Sequence, residues 1–247
     1  MILAVSGSSK VGKSTLIDDF INKYPRYGKP AKTYRDIPDL DLYENGTEKS
    51  QRLIRDFMFK SHKEFWAKRD TNKRIVHDRC LLDNLAVTMF LKAKNPDSIS
   101  DEFLLESIKM TRESMGFYHQ IYFIPIVKAD KIPVPDDLDV DFRNGFNAQL
   151  QFFFRLWEAR DFSMGIFPEK NCSPIFEVWG SREVRLAIMS QLLDENGDLE
   201  GGMGGAEMAP TLFGANGMDV TSQALNNPAE YGLEDFGFSA PNTNLIT

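Results

Sequence analysis

The most specific chemistry in this 247-residue chain lies in Gly7-Ser8-Ser9-Lys10-Val11-Gly12-Lys13-Ser14, with Thr15 completing a hydroxyl pair. The spacing is G-x-x-x-x-G-K-[ST], which reads as a cradle for a phosphate chain over residues 7–15. A glycine at each end lets the backbone turn so that successive N–H groups point inward at phosphate oxygens. Lys13 then bridges the β- and γ-phosphates, and the Ser14 hydroxyl sits on Mg²⁺. The pattern carries this meaning only between a strand and a helix. Both are present: ILAVSG reads as a buried strand, and STLIDDFINKY spaces Leu16, Ile17 and Phe20 as one helix face.

Other strand ends decide which chemistry the cradle serves. A guanine-specific switch needs N-K-x-D, and the chain has none; Asn22-Lys23 runs on into Tyr24-Pro25 inside the first helix. ATP-driven motors end a strand with Asp followed by Glu, the Glu preparing a water for attack. Here RIVHDR ends in Asp78-Arg79. Asp78 can hold Mg²⁺ or its water shell, but no adjacent carboxylate activates water, and Arg79 suits a second anionic or polar substrate. Phosphoryl transfer to an acceptor is favoured over hydrolysis. The alternative is a P-loop ATPase or nucleotide-controlled binding module without a small acceptor.

The elements that must hold these groups follow from periodicity. A long amphipathic helix is expected from about Glu48 to Arg69, with Leu53, Ile54, Phe57, Met58, Phe65 and Trp66 on its apolar stripe. RIVHDR and QIYFIPI read as buried strands, PIFEVWG as a last strand, and AKTY as a short second one. CLLDNLAVTMFLKAK, DEFLLESIKMTRESM and FNAQLQFFFRLWEAR read as helices, and SREVRLAIMSQLL closes the series with Ser181 as N-cap. VKADKIPVPDDLDVD reads as a mobile loop. Apolar strands alternating with helices predict an α/β fold, a parallel sheet covered on both faces. His62, His77 and His119 are scattered, and His77, within a strand, reads as packed. The run Phe152–Phe154 with Trp157 reads as core.

At this point a resemblance enters. GSSKVGKST, followed by Asp78-Arg79 and then Asp83-Asn84-Leu85-Ala86, resembles the thymidylate kinase-like and nucleoside kinase branch of P-loop proteins. It spans about residues 1–195 and implies a P-loop NTPase fold with a lid segment. It assigns Lys13, Ser14 and Asp78 to ATP and Mg²⁺, and Arg79 and Asp83 to the acceptor side. The segment Asp141-Phe142-Arg143 is similar to the D-G-x-R lid of nicotinamide-riboside-kinase-type enzymes, with Phe142 where Gly is expected. This places Arg143 on the transferring phosphoryl, where an arginine offsets transition-state charge; Lys128, Lys131 and Arg155 are weaker candidates for that role. Tyr34-Arg35-Asp36-Ile37-Pro38 lies where the acceptor enters such folds. Arg35 would bind an acceptor phosphate and Asp36 would take the proton of an attacking hydroxyl; a simple turn is the competing reading. Proteins of this look are frequent in large DNA phages, and some phosphorylate 5-hydroxymethyluracil in DNA. The implied acceptor is a nucleoside, a nucleotide or such a modified base.

Composition sets the outer bounds. No apolar run reaches the length of a membrane span, and MILAVSG is too short for a secretory signal, so a cytoplasmic setting is expected, that of the host if phage-encoded. Cys80 and Cys172 have no partner at metal-ligand spacing. Of 36 acidic residues nine follow Arg185, after which no Lys or Arg occurs; the preceding 185 residues hold 29 basic and 27 acidic side chains. The net charge of -7 thus belongs to the C-terminal segment. Residues 196–247 hold nine of the 17 glycines and no helical or strand periodicity. They read as a flexible acidic tail whose LEDFGF stretch could dock a protein partner, a solubilising extension being the simpler reading.

Overall fold

The structure, a computed structural model, describes residues 1–38, 40, 46–69, 74–130, 135, 136 and 138–199. Strand β1 (Ile2–Gly7) is buried along its whole length, as a strand covered on both faces must be. It pairs in parallel with β3 (Arg74–Asp78) on one side and β4 (Gln120–Ile124) on the other. The edges are β2 (Tyr27–Gly28) and β5 (Ile175–Glu177), giving the all-parallel order β2-β3-β1-β4-β5.

Side-chain alternation along β1 divides the core in two. Leu3 and Val5 join Leu16, Ile17 and Phe20 of α1 (Lys13–Lys23) and Met189 of α6 (Arg182–Ser190). Ile2 and Ala4 join Leu82, Leu85 and Ala86 of α3 (Leu81–Lys94) and Phe146, Leu150, Phe153, Phe154 and Trp157 of α5 (Val140–Glu158). Phe59, Phe65 and Trp66 of α2 (Glu48–Ala67) pack onto this second cluster, and α4 (Asp101–Ser114) buries Phe103 beside α2 and α3. The α/β architecture expected from the sequence is therefore present, with the aromatic run of α5 in the core. Ser181 caps α6, accepting the Val184 N–H. Among the described residues no helix is long and apolar enough to cross a membrane.

Three boundaries differ from the sequence reading. The second strand is Tyr27–Gly28, held by Arg74 and Ile75 of β3, whereas the AKTY segment ends in a 3-10 turn at Tyr34–Asp36. Helix α5 starts at Val140, six residues before Phe146, because Asp139 caps it by accepting the Phe142 N–H. The segment read as a lid is thus the first turn of a helix. Last, Leu193 and Leu199 form a bridge around a turn whose Gly197 carbonyl accepts from Tyr27 Oη at 2.7 Å and Arg74 Nη1 at 3.0 Å. These bonds join residues 193–199, on both sides of the expected boundary at 195, to β2 and β3; residues 200–247 lie outside the described residues.

The register sets Val5 beside Asp78 and Gly7 beside Ile124. The cradle and the Asp78-Arg79 ending consequently meet at the carboxyl edge of the sheet, where open α/β sheets hold their ligands.

Candidate active site

The loop from Gly7 to Gly12 is shaped by positive dihedrals. Gly7 has φ of 149°, and a Cβ there would lie 2.7 Å from the Ile124 carbonyl oxygen. Gly12 (φ of 91°) turns the chain into α1, and even Lys10 is left-handed, with φ of 57°. Helix α1 has neither a side-chain cap nor an acidic residue in its first turn. Helices α2, α4, α5 and α6 are all capped, by Thr47, Ser100, Asp139 and Ser181. The first N–H groups of α1 are therefore left for an anion, with the helix dipole behind them.

Lys13 is almost fully buried and donates from Nζ to the Ser8 carbonyl. Burial, and then the nearby Arg79 guanidinium, lowers its pKa to about 7, with Asp83 and Asp78 pulling the other way. This is an ammonium held ready for a counter-ion that the chain only partly supplies. Arg143 is also buried. Its Nε donates to the Ser9 carbonyl at 2.9 Å, while its own carbonyl accepts from Ser8 Oγ at 3.0 Å. It thus reaches the loop from a fixed helix turn, where the sequence reading expected a mobile lid. Arg155 lies 12 residues along the same helix, roughly 18 Å away, beside Glu158 and Glu177. Lys128 falls in a 3-10 turn, and Lys131 lies outside the described residues.

Ser14 Oγ approaches Asp78 Oδ2 at 3.4 Å, and Arg35 Nη1 stands 3.6 Å from the same oxygen. Asp78 Oδ1 is buried with no hydrogen-bond partner among the described residues. One hydroxyl, one carboxylate and an unmatched oxygen fit Mg²⁺, which keeps waters and substrate oxygens in place of an all-protein cage.

Arg79 and Asp83 have partners that the sequence did not reveal. Arg79 has a positive φ of 86°, and its Nη1 donates to the Gly7 carbonyl and to Asp83 Oδ1, both at 3.2 Å. Asp83 Oδ1 also accepts the Gly7 N–H at 3.1 Å, and Oδ2 accepts the Cys80 N–H at 2.9 Å. At 1% exposure Asp83 is a brace of the loop, its oxygens taken by protein donors. Asp36 is exposed, and its carboxylate accepts the Thr33 N–H at 2.7 Å and the Thr33 hydroxyl at 3.1 Å. Those bonds lower its pKa, so the geometry gives Asp36 to the turn and weakens it as a base.

Two further groups had no sequence signal. Arg185 donates to the Val11 carbonyl, the Gly180 carbonyl and Asp130, joining the cradle to the segments after β4 and β5. No motif marks it, since its partners lie up to 174 residues away. The second is a cleft beside Asp78, walled by Thr33 and Tyr34 on one side and by Phe57, Met58 and Ser61 of α2 on the other. His62 and His77 form its inner end.

No protein-family profile matches the chain, and no curated protein matches it in sequence. Solved structures do. A deoxyadenosine kinase from M. mycoides, with products dCMP and a flexible dCDP bound, is 13% identical with a TM-score of 0.53, over 77% of this chain and 97% of that one. The thymidylate kinase of Candida albicans is 14% identical with a TM-score of 0.53, over 77% and 89%. The NadR protein in complex with NR is 10% identical with a TM-score of 0.50, over 77% and 50%. At such identities the likeness is one of architecture: this chain has the P-loop fold that nucleoside and nucleotide kinases share.

Proposed function

We propose that the chain transfers the γ-phosphoryl group of ATP to a nucleoside or nucleotide, free or as a base within DNA. The observation that carries this reading is the position of Asp78. Its carboxylate meets Ser14 of the cradle, and the same side chain lines the cleft on the α2 side. An acceptor held against that side, with one group in the cleft, would share a wall with the donor site.

Each residue then has a task that electrostatics supports. The N–H groups of residues 8–15 and the α1 dipole hold the phosphate chain. Lys13 and Arg143, both buried at the loop, face the charge that spreads over the transferring oxygens. Ser14 and Asp78 would hold Mg²⁺, which neutralises phosphate charge when bound. Arg79 keeps the Gly7 carbonyl in place, and Arg35, exposed and 3.6 Å from Asp78, would meet an anionic acceptor. The acceptor oxygen bonds to phosphorus as the bridging bond to ADP breaks; a hydroxyl acceptor gives its proton to the transferred phosphoryl oxygens or to solvent, and a phosphate acceptor has none to give. Such a loose transition state asks mainly for positioning.

The test is direct. Purified protein with ATP and Mg²⁺ is offered nucleosides, nucleoside monophosphates and duplex DNA carrying 5-hydroxymethyluracil, and phosphorylated product is read by mass spectrometry. Product in one arm, lost in Lys13→Ala, is the expected result. ATP hydrolysis indifferent to every acceptor would overturn the proposal in favour of an ATPase.

A further inference from the structure

Strand alternation turns His77 toward α2, on the opposite face from Val76, which packs with α1 and α6. The His77 ring lies 3.9 Å from that of His62 and 5.3 Å from that of Phe65, centroid to centroid. His62 Nδ1 is 2.6 Å from Tyr118 Oη, which also receives the Leu81 backbone N–H. His62 is locked in place, and it fixes the plane of His77.

His77 itself is not satisfied. Its Nε2 is buried, and no donor or acceptor among the described residues reaches it. Buried polar nitrogens are almost always matched, so an orphan points to a partner from outside the chain. The same ring lines the inner end of the cleft with His62 and Asp78, in a cavity of about 20 Å³. That is room for one water-sized group, so a phosphate or a whole ring would stay outside the cleft and only a substituent would enter it. Lys32 and Asp78 also line the cleft, so its charged groups are on the same walls, and the imidazole offers a hydrogen bond to an uncharged group.

We infer that His77 is a selectivity residue for the acceptor: its Nε2 hydrogen-bonds one neutral hydroxyl, amine or carbonyl that the acceptor projects into this cavity. His62 is the positioning residue behind it. The inference rests on the kinase reading above and names the part of the acceptor that the protein distinguishes.

Two measurements test it. In the first, acceptors differing by one hydrogen-bonding substituent are compared by kcat/KM in wild type, His77→Phe and His77→Gln. The expected result is a loss of discrimination by about 10- to 100-fold in His77→Phe, partial retention in His77→Gln, and an ATP KM unchanged within about twofold. In the second, the wild-type protein with ¹⁵N-labelled imidazoles is titrated with the same acceptors by NMR. The His77 Nε2 resonance should move with acceptors that carry the substituent and stay still with those that lack it. Unchanged selectivity in folded His77→Phe, or a resonance that no acceptor moves, overturns the inference and leaves a buried water as the occupant. If His77→Phe does not fold, the titration decides. If wild type phosphorylates nothing, the kinase reading fails, while the titration still reports on the cavity.

Discussion

Asp83 Oδ1 accepts the amide proton of Gly7 at 3.1 Å, tying the first turn of α3 to the last residue of β1 across 76 positions of sequence. The same carboxylate holds Arg79, which in turn holds the Gly7 carbonyl. Both polar groups of the first cradle glycine are therefore fixed by side chains from the β3–α3 junction. Removing the carboxylate leaves the Arg79 guanidinium without its buried counter-charge. Asp83→Ala is expected to lose about 3–5 kcal/mol of stability, and ATP affinity should fall with it. Urea unfolding and nucleotide titration measure the two effects. Wild-type stability in Asp83→Ala would show that the brace carries no weight.

Lys13 predicts a pH dependence with opposite signs for folding and for binding. Its folded value of about 7 lies below its ordinary 10.5. Between those values the unfolded chain binds a proton that the folded chain has lost, so Lys13 adds stability as pH rises through this window. A phosphate chain reverses the preference, because an adjacent anion favours the ammonium. ATP binding at about pH 8 should take up close to one proton and weaken as pH climbs, by at most about tenfold per unit. Calorimetry in two buffers of different ionisation enthalpy reads the uptake, which Lys13→Met should abolish. Equal heats in both buffers would contradict the assignment.

Arg185 and Asp130 form a buried pair, their side chains 7% and 5% exposed, with further bonds from Arg185 to the Val11 and Gly180 carbonyls. Arg185→Met and Asp130→Asn each strand a buried group, at about 3–5 kcal/mol. The double variant should cost less than the sum, with a coupling of about 1–3 kcal/mol. Additive losses in a double-mutant cycle would mean that the two groups do not act together.

Asp36 is the case where little should happen. With its Oδ2 bonded to the Thr33 N–H and hydroxyl, Asp36→Asn is expected to leave kcat within about threefold of wild type. A loss of a hundredfold or so in kcat would instead restore the role of base that the sequence proposed for it.

The parts of this fold that could be read in sequence are those set by local pattern. The strand–cradle–helix unit from Ile2 to Lys23, the amphipathic α2 and the cap at Ser181 all follow from residues within a few positions of one another. Strand β2 could not be read, because two residues have no periodicity and only pairing with β3 defines them. The early start of α5 did have a signal. Asp139 precedes Val140 as a cap, and Phe142 and Phe146 are one turn apart, but the Pro-Asp-rich flank masked both. In the candidate site, Lys13 and Ser14 were expected from a motif that names their types and Asp78 from its place at a strand end, and the structure sets Ser14 beside Asp78. Asp83 was read as facing the acceptor, and the bonds that make it a brace come from the remote Gly7. His77 was read as merely packed, since nothing local distinguishes a matched imidazole from an orphaned one.

The turn at residues 193–199 is anchored to Tyr27 and to Arg74, the first residue of β3. The cradle lies at the other end of the same parallel strands. The last described residues therefore emerge at the pole of the molecule opposite the chemistry. A surface tether, fluorophore or fused reporter joined there keeps the whole height of the sheet between itself and the ligands. Immobilised protein held at that pole would present the cradle edge of the sheet outward.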